Sequence, residues 1–278
     1  MGRAKAILVL LSITVAWGLT FPVQKVALIG SNPFFYNFLR FALASALTFF
    51  ILRGKPRWKE GLILGLFLGI GYATQTSGLK LTSSTKSGFI TSLYIPFVPV
   101  FSLLIERVKP SRLQMISFCL SIIGLYLLSS PSNDPFNLGD LLTLFCAIAF
   151  AIQIVLVTHY TNRKEYEEST LLLPQLLLTA LFNLLLSPLG GSFGFKVSYV
   201  IALLFTSIVA TVIALWAQLK FQACVGSNSA ALIYTAEPVF ASLFAFFLIS
   251  EKVTTTQFLG MIVLVVASVL GNMKMKRR

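Results

Sequence analysis

SAALIYTAEPVFASLFAFFLIS, residues 229–250, is long and apolar enough to cross the hydrocarbon core of a membrane as one helix, yet it contains a carboxylic acid. Glu237 lies about ten residues into the predicted span, which at about 1.5 Å per residue puts it about 14 Å deep, close to the midplane. An ionised side chain there costs about 2.5 to 3.5 kcal/mol on insertion scales, so we expect it to face a partner or water. The stretch therefore predicts a membrane protein with a polar feature at its centre.

The composition of the whole chain is typical of a protein whose main solvent is lipid. Of its 278 residues, 56% are hydrophobic and 11% are charged, whereas a soluble domain averages about 25% charged residues. Short charged clusters separate long apolar runs, at 53–60, 106–112, 162–168 and the C-terminal end. Clusters spaced in this way indicate loops between membrane helices.

Two other classes of protein are disfavoured by the same composition. The net charge of +13 does not indicate nucleic-acid binding, because no soluble domain remains that could carry a basic face. Cys119, Cys146 and Cys224 sit in or beside apolar runs without CxxC spacing. Neither a disulfide framework nor a metal site is therefore predicted, and no cofactor is expected.

Ten membrane spans fit the chain, with connections of a few residues and no room for an extramembrane domain. The first apolar run continues to about Leu19 without a small-residue cleavage site, so it is interpreted as a membrane helix and not as a signal peptide. The predicted spans are 4–24, 33–52, 60–79, 85–105, 112–129, 139–159, 169–188, 197–219, 228–249 and 256–273.

The distribution of Lys and Arg predicts the orientation, because cytoplasmic loops retain positive charge. With the N-terminus inside, 16 basic residues fall on the cytoplasmic side and five on the opposite side. An even number of spans returns the C-terminus to the cytoplasm, so both termini are predicted to be cytoplasmic. The five residues on the opposite side are Lys25, Lys80, Lys86, Lys196 and Lys252.

The chain contains a long-period internal repeat. A shift of 142 residues aligns KLTSSTKSGFITSLYIPFVPVF (80–101) with QACVGSNSAALIYTAEPVFASL (222–243), so that Pro96 meets Pro238. Each aligned block then runs on to a Glu followed by a basic residue, although the proline-to-glutamate distances differ, 10 residues against 13. The repeat predicts two units of five spans each.

The two predicted units are residues 1–132 and 133–278. Because five is an odd number, the second unit enters the membrane from the opposite side, which makes the units inverted repeats. The predicted fold is an all-α membrane protein with ten transmembrane helices, arranged as two inverted five-helix repeats around a central cavity.

Three segments resemble the drug/metabolite transporter superfamily, specifically its EamA-type ten-helix members. They are AWGLTFPVQK (16–25), FLRFALA (38–44) and AEPVFASLFAFFLISEKVTTTQFLGMIVLVVASVL (236–270), and the likeness extends over essentially the whole chain. The stretch 94–111 departs from the pattern with two prolines and a shorter run to its glutamate. The resemblance implies a multi-pass inner-membrane protein that moves amino acids, other metabolites or drugs, often outward. It also implies a central cavity lined mainly by helices 1, 3, 4, 6, 8 and 9.

Two ionisable side chains inside the spans are candidates for the transport pathway. Glu237 is a candidate proton acceptor or amine-binding group; alternatively, it is a neutral acid that hydrogen-bonds between helices, beside carbonyls freed by Pro238. Arg40, in the second span, is a candidate partner for Glu237 or for a substrate carboxylate. A structural salt bridge, or a side chain that reaches the outer interface, is the alternative for Arg40.

A polar stripe marks the fourth span, where Ser84, Ser87, Thr91 and Tyr94 recur along one helical face. Tyr234 and Glu237 occupy a similar stripe in the ninth span, so the two stripes are candidate cavity walls; close packing through small residues is the alternative. Trp17 and Gln75 bring aromatic and hydrogen-bonding surface into their spans. The candidate pathway residues are Glu237, Arg40, Tyr94, Tyr234, Thr91, Ser87, Trp17 and Gln75.

A secondary transporter of small metabolites is the function that these patterns favour, with amino acids or related amphipathic compounds as exported substrates and protons as a candidate coupling ion. The chain has no GxxxxGK[ST] sequence, so ATP hydrolysis within it is not supported. A membrane-embedded enzyme is disfavoured because the lone His159 lies at a span end and no Asp is predicted deep within a span. A channel and a drug or cation exporter of the same superfamily remain as alternatives.

Overall fold

The computed structural model describes residues 2–51, 54–129, 135–162, 169–191, 194 and 196–273, and within them all regular structure is helical. The predicted unit boundary at 132/133, most of the charged cluster at 162–168 and the basic C-terminal end lie outside the described residues, as does residue 52 at the end of the second predicted span.

Ten helical spans run through the described residues, in the order predicted. Nine of them are long and apolar enough to cross a membrane, and the apolar part of the fifth is shorter, at Arg112–Leu128. The prediction of an all-α, ten-helix membrane protein is confirmed. The spans are α1 (Arg3–Ala27), α2 (Pro33–Ile51), α3 (Trp58–Leu81), α4 (Ser84–Glu106), α5 (Arg112–Ser129), α6 (Leu138–Thr161), α7 (Ser169–Leu189), α8 (Val197–Cys224), α9 (Ser227–Ile249) and α10 (Thr255–Asn272).

The packing of the two halves is reciprocal. Helix α2 packs against its counterpart α7, and α5 packs against its counterpart α10. The contact of α3 with α6 becomes that of α8 with α1 when the halves are exchanged, and the contact of α4 with α6 becomes that of α9 with α1. Each pairing therefore maps onto itself or onto another pairing when the halves are exchanged. Since each half crosses five times, the two halves have opposite directions in the membrane.

Glycines allow several of these helices to approach closely. A Cβ added at Gly18 of α1 would lie 2.6 Å from the Cβ of Phe240 in α9, and one added at Gly260 of α10 would lie 2.6 Å from the backbone nitrogen of Leu128. Both distances are shorter than any van der Waals contact. Small residues therefore set the spacing of these helix pairs, as is common in membrane proteins.

Helices α4 and α9 are each interrupted near a proline. Helix α4 consists of Ser84–Thr91 and Tyr94–Phe101, followed by a π-helical turn, Ser102–Glu106. Helix α9 consists of Ser227–Tyr234 and Ala236–Ile249. A proline has no N–H and clashes with the preceding turn, which explains breaks at these equivalent places.

Candidate functional site

A cavity lies between the two halves at the centre of the bundle. Its open space is about 40 Å³, enough for a few water molecules but not for an amino acid. It is lined by α1, α3, α4, α6, α8 and α9, the six helices that the family resemblance implies. Polar and aromatic side chains in its wall include Trp17, Thr20, Tyr72, Gln75, Tyr94, Gln153, Gln218, Tyr234 and Glu237.

The carboxyl group in the cavity wall belongs to Glu237. Its side chain is 6% exposed, and its Oε2 accepts a hydrogen bond of 2.9 Å from the hydroxyl of Tyr94. The repeat counterpart of Glu237 is Ile95, which is apolar and fully buried. The two halves therefore contribute unequally, with the acid from the second half and the tyrosine that orients it from the first.

Pro238 explains how this pair is arranged. Because Pro238 lacks an N–H, it leaves the C=O of Tyr234 without its usual helical donor. The hydroxyl of Tyr94 lies 3.3 Å from that carbonyl oxygen and so is positioned between it and the Glu237 carboxyl. The break in α9 and the acid next to it thus form one local structure.

Aromatic side chains in the adjoining wall pack against each other and hydrogen-bond to neighbouring helices. The rings of Trp17 and Tyr234 meet edge to face with centroids 5.3 Å apart. The indole Nε1 of Trp17 donates to the C=O of Ala210 at 3.1 Å, within a π-helical segment of α8, Ile208–Ile213. The hydroxyl of Tyr234 donates to Oε1 of Gln222 at 3.1 Å.

A chain of amides leads away from the cavity along α6 and α8. Nε2 of Gln218 donates to Oε1 of Gln153 at 3.4 Å and to Oε1 of Gln222 at 3.0 Å. Nε2 of Gln222 in turn donates to the C=O of Ile154 and to Oγ1 of Thr158. Nε2 of Gln153 is buried without a partner among the described residues. These amides extend the polar surface of the cavity by about one helical turn.

Of the eight predicted pathway residues, Glu237, Tyr94, Tyr234, Trp17 and Gln75 line the cavity, whereas Arg40, Thr91 and Ser87 are not in its wall. Thr91 accepts a hydrogen bond of 3.3 Å from Nε2 of Gln75 and so supports a lining residue from behind. Ser87 is fully buried, and its hydroxyl has no partner within the described parts of the chain.

Arg40 does not pair with Glu237, and it does not reach an interface, because it is fully buried. Its Nε donates to Oγ1 of Thr211 at 2.8 Å, and its guanidinium carbon lies 4.4 Å from the ring centroid of Tyr72. Tyr72 is a lining residue that the sequence analysis missed, although it lies one turn before Gln75 on the same helical face.

Beyond the cavity, at the face of the bundle opposite the start of α1, Glu251 joins α9 to α4. Its Oε1 accepts from the backbone N–H of Ser84 at 3.0 Å, and its Oε2 accepts from the N–H and hydroxyl of Thr85 at 3.1 and 2.7 Å. A carboxylate at a helix N-terminus also interacts favourably with the helix dipole. We call Glu251 with Ser84 and Thr85 the opposite-face clamp.

A matching contact lies at the face on which α1 begins, called here the N-terminal face. Oε2 of Glu106, at the end of α4, accepts from the hydroxyl of Ser227, the first residue of α9, and from that of Ser102 at 3.1 Å. Ser227 is the repeat counterpart of Thr85. We call Glu106 with Ser102 and Ser227 the N-terminal-face clamp; each clamp joins the end of one repeated helix to the start of the other.

Both clamps are formed in this structure, so α4 and α9 are joined to each other at both faces of the bundle. At the opposite face a salt bridge of 2.7 Å between Lys86 and the buried Asp140 adds a second link, from α4 to α6. Within the described ranges, no group of three His, Cys, Asp or Glu side chains is arranged to hold a metal ion. The arrangement is therefore a small polar chamber with one acid in its wall and no metal cluster in the part of the chain described.

Comparison with known proteins gives one family. The profile of the EamA-like transporter family matches the chain twice, over residues 4–130 and 137–273. An uncharacterized transporter of Archaeoglobus fulgidus is 32% identical over 277 residues, which cover 98% of this chain and 87% of that protein. The uncharacterized inner membrane transporter YicL of Salmonella typhimurium is 25% identical over 240 residues, covering 83% of this chain and 78% of that one.

A solved crystal structure has the same fold. It superposes with a TM-score of 0.79 over 97% of this chain and 99% of its own, at 18% sequence identity. The double match of the family profile agrees with the internal repeat, because each match covers one five-helix half.

Proposed function

This chain belongs to the EamA-like transporter family, and from that we propose that it is a secondary carrier which exports amino acids or related amphipathic metabolites by alternating access. The moving units are the two inverted halves, residues 1–132 and 133–278. The single observation that supports this most strongly is the chamber itself, which both halves line and which has a matching carboxylate clamp beyond it at each face of the bundle.

A carrier accounts for the small chamber better than a channel does. A channel needs a continuous pore lined by repeated polar or charged groups. The chamber has about 40 Å³ of open space and holds one acid, Glu237, whose counterpart in the other half is Ile95. A solute larger than water can therefore enter only if the helices move, which is the defining step of alternating access.

The clamps supply a mechanism for that movement. Hydrogen bonds to an ionised group contribute about 1.5 to 3 kcal/mol each, so one clamp stabilises closure at its face by a few kcal/mol. Opening one clamp while the other stays closed exposes the chamber to one side only. The breaks beside Pro96 and Pro238 are next to the chamber and provide the flex points for this motion.

The chamber wall suits a small solute with an amine and an apolar body. Glu237 is expected to receive the amine, Trp17 and Tyr234 to contact the apolar part, and the amides of Gln75 and Gln218 to supply further hydrogen bonds. Glu237 is also the group that would exchange a proton if transport is coupled to a pH gradient. The five aromatic lining residues around one acid equally favour a cationic amine, so a drug or cation exporter is the second candidate.

The proposed location is the cell (inner) membrane, with both termini in the cytoplasm. The bias of 16 basic residues against five supports this orientation. The N-terminal-face clamp then closes the cytoplasmic side of the chamber, and the opposite-face clamp closes the external side.

Counterflow in liposomes tests the proposed function. Purified protein is reconstituted into vesicles, and uptake of a radiolabelled amino acid is measured with and without the same unlabelled amino acid inside, over a panel of all twenty. For at least one amino acid we expect saturable uptake that is several-fold faster with the unlabelled solute inside, because a loaded carrier returns faster than an empty one. Uptake that rises linearly with concentration, with no acceleration, would support a channel and contradict the carrier.

A further inference from the structure

We propose that Arg40 binds the carboxylate of the transported solute once Tyr72 moves aside, so that the site selects zwitterionic amino acids over amines without a carboxylate. This inference rests on the proposed carrier function and names the substrate class of the same site. It starts from an unusual juxtaposition, a fully buried guanidinium that has no anionic partner among the described residues and lies behind a residue of the chamber wall.

The contacts of Arg40 leave its charge unbalanced. Nε donates to Oγ1 of Thr211 at 2.8 Å, Nη2 lies 3.4 Å from the hydroxyl of Tyr72, and Nη1 has no partner in the described ranges. These neighbours are neutral, and within the described chain no carboxylate lies within 4.0 Å of the guanidinium. A buried charge left without a counter-charge is strongly destabilising, by several kcal/mol, and a guanidinium does not lose its proton. An anion that arrives with the solute offsets that destabilisation.

Tyr72 separates this charge from the chamber. The guanidinium carbon lies 4.4 Å from the centroid of the Tyr72 ring, and Tyr72 is itself part of the chamber wall. Tyr72 contacts Arg40 and lines the same chamber as Glu237. A rotamer change of Tyr72 gives up one long hydrogen bond, its ring contacts with Phe41 and Phe150 and its contact with the guanidinium, and in this proposal it opens the guanidinium to the chamber.

The backbone of α8 links the Arg40 position to the chamber. Thr211, which holds Nε of Arg40, and Ala210, whose C=O accepts from Trp17, are neighbours in the π-helical segment Ile208–Ile213. Such segments are frequent at functional sites, since the widened turn redirects side chains and carbonyls. One irregular turn therefore contacts both the unpaired charge and the aromatic wall.

The two ionisable groups have complementary roles in this arrangement. Glu237 takes the ammonium group and Arg40 takes the carboxylate, with two parallel N–H···O bonds available because Nη1 is free and the contact of Nη2 is long. A bound zwitterion then neutralises both side chains at once. Binding an amine alone leaves Arg40 uncompensated, so the amine is expected to bind more weakly.

The test compares two pairs of solutes that differ by one carboxylate: leucine with isoamylamine, and tryptophan with tryptamine. Binding to purified protein is measured by equilibrium dialysis, and transport is measured in liposomes. The wild-type protein is expected to bind each amino acid at least 10-fold more tightly than its amine. Arg40→Gln is expected to weaken amino acid binding about 100-fold and to change amine binding less than threefold, since only the amino acid loses a contact. Arg40→Lys is expected to be intermediate, because an ammonium cannot form the bidentate pair.

Arg57→Gln is the matched control, because Arg57 pairs with Glu60 at the start of α3, away from the chamber, and its removal should not alter the preference for amino acids. Equal loss of amine and amino acid binding in Arg40→Gln would overturn the assignment. If Arg40→Gln does not fold, the wild-type preference decides: an amine bound as tightly as its amino acid would overturn the inference. Wild-type protein that transports the amines but no amino acid would overturn the Arg40 assignment and leave the carrier standing, whereas transport of neither class would contradict both.

Discussion

Glu237→Gln is expected to lower amino acid transport by about 100-fold or more without unfolding the protein. Glutamine has nearly the same shape, and its carbonyl oxygen can still accept the hydrogen bond from Tyr94. It has no charge, however, and loss of one partner from a buried ion pair costs about 3 to 5 kcal/mol, which exceeds 100-fold in binding. The measurement is initial uptake into liposomes, with thermal unfolding in detergent as the check on folding.

The pH response provides a second result from the same variant. Glutamine cannot exchange a proton, so we expect the transport that remains in Glu237→Gln to be unaffected by a pH gradient. Glu60→Gln is the matched control, because Glu60 is partly exposed and pairs with Arg57. The same uptake rate and the same pH dependence in Glu237→Gln as in the unmodified protein would contradict a functional role for this carboxyl group.

Removing the two clamps one at a time is expected to expose the chamber to opposite faces of the membrane. Glu251→Ala removes three hydrogen bonds from the opposite-face clamp and should expose the chamber to that face. Glu106→Ala weakens the N-terminal-face clamp and should expose the chamber to the other side. Since each bond to a carboxylate contributes about 1.5 to 3 kcal/mol, we expect accessibility from the affected face to rise about 10-fold or more.

A single cysteine in the chamber wall measures this effect. Thr20 lines the chamber and cysteine is of similar volume, so Thr20→Cys is introduced into protein whose three native cysteines are replaced by alanine. The rate of reaction with a membrane-impermeant thiol reagent is then compared in right-side-out and inverted vesicles. The same change from both faces in both clamp variants, or no change in either, would contradict the assignment of these contacts as gates.

The sequence predicts the helices well because their signal is local. Apolar runs of about 20 residues between charged clusters fix ten spans, and a bilayer leaves few alternatives to helices for them. The ends are less well predicted where tertiary contacts decide them. Helix α8 continues to Cys224, beyond the predicted residue 219, because Gln222 is held there by Ile154 and Thr158 of α6.

The site could be predicted only in part, because tertiary contacts decide much of it. Glu237, Tyr94 and Tyr234 stand out in the sequence because polar groups deep in a membrane span face protein or a cavity. The residues that contact these side chains are determined by packing between the two halves, and a local sequence pattern carries no information on such distant contacts. Arg40 meets Thr211, 171 residues away, and Glu251 meets Ser84, 167 residues away. The repeat aligned the two helices that carry the clamps, yet only the structure brings each glutamate to the start of the other helix.

The account rests on one chamber that is reached alternately from both sides of the membrane. The most direct test uses Thr20→Cys with both clamps intact, labelled with the impermeant reagent from each face in turn, in the presence and absence of a transported amino acid. We predict reaction from either face, slowed from both faces by the same amino acid at the same half-maximal concentration. Reaction from one face only, or reaction that the amino acid does not slow from either face, would contradict the account.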